Sequence, residues 1–140
     1  MTTETTDEPS TPRIRAVIVD DSPDVRYLLT TILEVDGRFE VVGDAHTADD
    51  GLEVVAQADP DLVLVDLQME GHDGTWLIGE LRRRGNDAAL AVVTGTSLEL
   101  VPGDVLDAGA DSVHHKMTMT STMADDLVDA VVRRRRTVSV

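Results

Sequence analysis

Short apolar runs alternate along this chain with stretches in which apolar residues recur every three or four positions. Ile14 to Val19, Phe39 to Val42, Leu62 to Val65 and Ala89 to Val93 have the length and β-branched content of strands, and Ser112 to His115 is a weaker fifth. After the first run, Ser22 can cap a helix whose first position is Pro23, where a missing N–H costs nothing. Val25, Leu28, Leu29, Ile32 and Leu33 then mark one helical face, and Asp36-Gly37 closes the helix. Thr47 can cap a second helix, carrying Leu52, Val55 and Ala56 and stopped by Pro60. A third is expected from about Thr75 to Arg84, ending at Gly85. Pro102-Gly103 interrupts the next stretch, so a fourth helix should be short and start near the proline. The last begins around Ser121, with Asp125 and Asp126 in its early turns and Arg133 to Arg136 at its end, an order that complements the helix dipole.

Five strand–helix repeats with such short connections predict right-handed βαβ crossovers, hence an α/β fold with one parallel sheet covered on both faces. The 140 residues suffice for one such domain. Only 2% of them are aromatic, so the core must be built from Val, Leu, Ile and Ala, which suits a doubly covered parallel sheet. Residues 1–12 are acidic and Thr-rich with nothing to bury and are expected to form a disordered tail. Residues 13–136 form the expected domain, and 137–140 a short C-terminal tail with no room for an output domain. The formal net charge of −15 argues against nucleic acid or an anionic membrane as a direct partner. The absence of cysteine removes disulfides and thiolate chemistry. With no signal peptide and no apolar run near the ~18 residues that span a bilayer, a cytoplasmic location is expected.

The chemistry collects where the strands end. The first apolar run stops at Asp20-Asp21, the third at Asp66, the fourth at Thr94 and the fifth at Lys116. Open parallel sheets form their sites beyond the carboxyl ends of the strands. Three carboxylates brought together repel unless a cation neutralises them, and a few oxygen ligands completed by water suit Mg²⁺. Such an ion draws in a phosphate donor and shields the charge that opposes attack by a carboxylate. Asp is an established nucleophile for making an acyl phosphate. Taken singly, these residues carry plainer readings: Asp20-Asp21 as a helix cap with a first-turn acid, Asp66 as a loop start, Thr94 as an ordinary strand residue. The basic run Arg133 to Arg136 reads as a solvated helix end. Lys116 stands out because the chain has eleven arginines and this one lysine, and a compact ammonium is not interchangeable with a guanidinium.

With Asp66-Leu67-Gln68-Met69 leading to Asp73-Gly74, and Gly109-Ala110-Asp111 preceding Lys116, the chain resembles the receiver domain of bacterial response regulators from Arg13 to Arg136. The resemblance implies a flavodoxin-like (βα)5 sheet of order 2-1-3-4-5. It implies that Asp66 accepts a phosphoryl group from the phosphohistidine of a sensor histidine kinase or phosphotransfer protein. It further implies that Asp21, Asp66 and the backbone carbonyl of Gln68 ligate Mg²⁺, with Asp20 acting largely through water, while Thr94 and Lys116 hold the phosphoryl oxygens. A stand-alone switch acting on a downstream protein is the leading expectation. A phosphotransfer carrier and a pure interaction module of the same fold are the alternatives. Three positions depart from the family pattern: Glu70 and Met117 where proline is usual, and Val113 where an aromatic usually relays the signal from the threonine.

Overall fold

The computed structural model describes residues 12–118 and 121–139. The expected acidic tail therefore lies outside the described residues except for Pro12. Five strands and five α-helices alternate: β1 (Ile14–Val19), α1 (Pro23–Asp36), β2 (Phe39–Ala45), α2 (Ala48–Ala58), β3 (Leu62–Val65), α3 (Gly74–Arg83), β4 (Ala89–Thr94), α4 (Asp104–Ala108), β5 (Ser112–His115) and α5 (Ser121–Ser139). Single 3₁₀ turns, Leu98–Leu100 and Lys116–Thr118, precede α4 and follow β5. The strands form one parallel sheet in the order β2-β1-β3-β4-β5, which is the 2-1-3-4-5 order expected.

Strand alternation divides the core between the two faces. Ile14, Ala16, Ile18, Leu62, Leu64, Ala91 and Val93 point toward Leu29 and Leu33 of α1 and Met123, Leu127 and Val131 of α5. Val17, Val19, Val63, Val65, Leu90 and Val92 point toward Val55, Leu77, Ile78, Leu81 and Val105 on the other helices. Strands buried on both faces explain the near-continuous apolar runs.

The caps follow local chemistry. Ser22 accepts the Val25 N–H and Thr47 the Asp50 N–H. Gly37 closes α1 at φ 91°, in the left-handed region that glycine tolerates. Local details add to or differ from the expected elements. Asp73, not a residue nearer Thr75, caps α3 by accepting the Trp76 N–H at 2.9 Å. Asp59, itself left-handed, ends α2 just before Pro60. The apolar stripe of α1 is narrower than its sequence, with Leu28 46% exposed. The last helix continues to Ser139, so the residues read as a tail include helix.

One side chain ties the lower half of the sheet together. Arg82 of α3 donates to the carbonyls of Asn86 and Ala88 at 2.9 and 2.8 Å, to Gly109 O at 3.0 Å and to Asp111 Oδ2 at 2.8 Å. The same Asp111 oxygen accepts the Leu90 N–H, and the Asp111 N–H returns to Leu90 O. Arg82→Met keeps the stem and removes all four of these hydrogen bonds. It is expected to cost about 2 kcal/mol, read as a lowered urea midpoint with an unchanged slope.

Candidate functional site

The three central strands, β1, β3 and β4, end at the same edge of the sheet and turn away from it in the same manner. The Asp20 carboxylate accepts the Ser22 N–H at 2.9 Å, Asp66 Oδ1 the Gln68 N–H at 3.3 Å, and Thr94 Oγ1 the Thr96 N–H at 3.1 Å. These local bonds fix the first carboxylate, the second carboxylate and the hydroxyl at the strand ends. Asp20, Asp66 and Thr94 are 1%, 4% and 0% exposed, and they are the buried polar residues of the chain among those described. Asp21, next along, is exposed.

Lys116 reaches this edge from the turn after β5. Its Nζ donates to Asp66 Oδ2 at 3.1 Å and lies 3.0 Å from Asp20 Oδ2. Toward Asp20 the approach is close but misaligned, and buried Oδ2 of Asp20 has no hydrogen bond. Burial, and then the charge on Asp20, push the Asp66 carboxyl above the usual carboxylate range, against the opposing pull of Lys116. Burial lowers the affinity of Lys116 for its proton, but the two carboxylates outweigh it and the ammonium is held more firmly than an ordinary lysine.

Carboxylate oxygens of Asp20, Asp21 and Asp66 lie within 4.8 Å of one another. With all three ionised, one ammonium leaves this cluster two negative charges in excess. An all-oxygen donor set, a buried carboxylate oxygen without a hydrogen bond and a doubly negative excess fit a hard divalent cation of the Mg²⁺ kind.

The sequence-predicted residues Asp20, Asp21, Asp66, Thr94 and Lys116 thus stand at one sheet edge, and Gln68 is tied into it by its N–H. Val113 is half-buried against the core on the α2–α3 side, in register with Val92. His72 borders the same loops: its ring stacks on Trp76 with centroids 3.7 Å apart and Nδ1 lies 3.0 Å from Asp49. The sequence reading missed two supports, the Asp73 cap and the Arg82–Asp111 pair. The first was signalled by an Asp three residues ahead of a helical stripe, and the second by nothing short of three dimensions.

The family model described as "Response regulator receiver domain" matches residues 16–128. The chain belongs to the response regulator receiver family. It is 30% identical over 115 residues to a nitrate/nitrite response regulator protein homolog of Haemophilus influenzae, covering 82% of this chain and 55% of that protein. It is 32% identical over 112 residues to the transcriptional regulatory protein LiaR of Bacillus subtilis, covering 80% and 53%. The chain therefore spans about half the length of these receiver relatives. Among solved receiver structures, it is similar to the response regulator protein TrrA of Thermotoga maritima in complex with Mg(2+)-BeF, with a TM-score of 0.75 at 26% identity, covering 84% of this chain and 98% of that one. No helix among the described residues is long and apolar enough to cross a membrane.

Proposed function

We propose that this receiver accepts a phosphoryl group on Asp66 and uses it to switch protein–protein contacts. The observation that carries the reading is the buried Asp66 carboxylate, bonded through Oδ2 to Lys116 within a cluster of three carboxylates. In the step proposed, a carboxylate oxygen of Asp66 attacks phosphorus, a P–O bond forms and the bond to the donor's imidazole nitrogen breaks. The imidazole leaves with the electron pair, and the product is an acyl phosphate.

Asp20, Asp21 and Asp66, with the Gln68 carbonyl, would hold Mg²⁺, which when bound supplies charge neutralisation at the phosphoryl oxygens. The chain's own residues do the positioning. The Gln68 N–H fixes one oxygen of Asp66, and the Lys116 ammonium sits where a phosphoryl oxygen would need a donor. Thr94 offers its hydroxyl proton from the neighbouring strand end, since its oxygen already accepts from Thr96. Sensor histidine kinases or phosphotransfer proteins are the donors this chemistry fits. The downstream partner is a protein, because the strongly negative chain is a poor match for nucleic acid or an anionic membrane.

Intact-protein mass after incubation with acetyl phosphate tests the reading. A single phosphoryl adduct that requires Mg²⁺ is expected, and no adduct in its presence would overturn the proposal.

The metal has a readout of its own. Mg²⁺ binding selectively to the folded cluster should raise the thermal midpoint as its concentration passes through the millimolar range. Asp21→Ala removes an exposed ligand without opening the core and should flatten that response. A melting curve indifferent to Mg²⁺ in the parent protein would remove the metal from the reading.

A further inference from the structure

Lysine has no hydrogen-bond acceptor, so a lysine at a strand end cannot make the turn that the other site residues make for themselves. In β1, β3 and β4 the side chain that turns the backbone is a site residue: Asp20, Asp66 or Thr94. In β5 that task falls one residue earlier. His115 Nδ1 accepts the Met117 N–H at 3.0 Å, the same bond to the residue two positions on. The His115 carbonyl also accepts the Thr118 hydroxyl at 2.9 Å. His115 is paired in register with Thr94, so both turns leave the sheet side by side. Lys116 opens the 3₁₀ turn Lys116–Thr118, and both bonds link His115 to its later residues.

The Met117 side chain is 84% exposed and adds no packing. Met117 does bring a backbone N–H, which a proline at this position would lack, and His115 is where that donor goes.

We propose that His115 is the positioning residue for Lys116. Its neutral ring, protonated on Nε2 and accepting through Nδ1, holds the turn that aims the ammonium at Asp20 and Asp66. The proposal rests on the reading of Asp66 as phosphoacceptor, and it deepens that reading by naming what aligns the group expected to hold the phosphoryl oxygens.

The test pairs two substitutions with one spectrum. His115→Leu keeps bulk and removes the acceptor. His115→Asn keeps an acceptor, because an asparagine oxygen readily takes the N–H two residues on. With acetyl phosphate and saturating Mg²⁺, His115→Leu should slow labelling of Asp66 about five-fold, the worth of one ordinary net hydrogen bond. His115→Asn should label at nearly the parental rate, and the Mg²⁺-induced rise in melting temperature should be the same in all three proteins. Equal rates in parent and His115→Leu, or equal slowing by both substitutions, would overturn the positioning role. Ring ¹⁵N correlation spectra of the unmodified protein are expected to show His115 protonated on Nε2 and hydrogen-bonded at Nδ1, and a proton on Nδ1 at neutral pH would also overturn it. A parent protein that takes no label at all would instead count against the phosphoacceptor reading, while the ring spectrum still decides whether the turn is built as described.

Discussion

Asp66→Asn is expected to abolish labelling by acetyl phosphate in Mg²⁺ and, in metal-free buffer at neutral pH, to melt a few degrees above the parent protein. The first effect is chemical: an amide oxygen in place of the carboxylate cannot form the acyl phosphate. The second follows from the electrostatics of the site. Burial and the neighbouring Asp20 charge raise the folded-state pKa of Asp66. Between the ordinary carboxylate pKa and that raised value, the folded chain holds more protons than the unfolded one. Stability from this group therefore falls as pH rises through the window and stays lower above it. The amide that replaces the carboxylate in the variant carries no charge, so the decline is absent. The melting difference between the two proteins should open as pH is raised out of the acid range. Lys116 keeps a carboxylate neighbour in the variant, Asp20 at 3.0 Å. A variant that melted below the parent at neutral pH would show that the Asp66–Lys116 pairing outweighs the cost of burial. A variant labelled as fully as the parent would sink the nucleophile assignment.

The fold and the site were legible to different depths, for physical reasons that particular residues make plain. β1, β3 and β5 begin and end where the apolar runs do. β3, buried throughout, admits no polar residue until the sheet edge, so its end also announces Asp66. β2 runs three residues past Val42 because Gly43, Asp44 and Ala45 pair with Val17, Ile18 and Val19 beyond an irregularity in register. As an outer strand it tolerates the exposed Asp44, which in sequence looks like a strand stop. Leu28 reads as core from its spacing alone. In the fold Leu29 and Leu33 fill the α1 stripe against the sheet, and the neighbouring turn position faces solvent. Arg82 is indistinguishable in sequence from the surface arginines that follow it, and only the crossover from α3 to β4 brings it onto Asp111. His115 is visible in sequence only as a neighbour of Lys116, since its use is as an acceptor for a backbone N–H and not as a metal ligand.

Gly74→Ala sets a local preference directly against a contact, and the contact is expected to win. Gly74 opens α3, where alanine is the better helix former by about 1 kcal/mol. A Cβ there, however, would lie 2.2 Å from the Asp66 carbonyl oxygen and 2.9 Å from Leu67 Cα. Both neighbours are backbone atoms, and neither can rotate away. The Gly74 N–H also donates to Leu67 O at 3.1 Å, so the loop that leaves Asp66 folds back onto this residue. Making room means moving the segment that holds the Asp66 carboxylate, and the net cost should be about 3 kcal/mol, at the upper end for inserting a single methyl. Urea unfolding reads the stability, and acetyl phosphate labelling of the surviving folded protein reads the displacement of Asp66, expected as a marked slowing. Gly79→Ala in the same helix is the control, because a Cβ at that position meets nothing within 4 Å. That substitution should raise stability by about 1 kcal/mol and leave labelling unchanged. If both glycine substitutions stabilised the protein alike, the close approach of α3 to Asp66 would be wrong, and with it the way this helix start braces the phosphoacceptor loop.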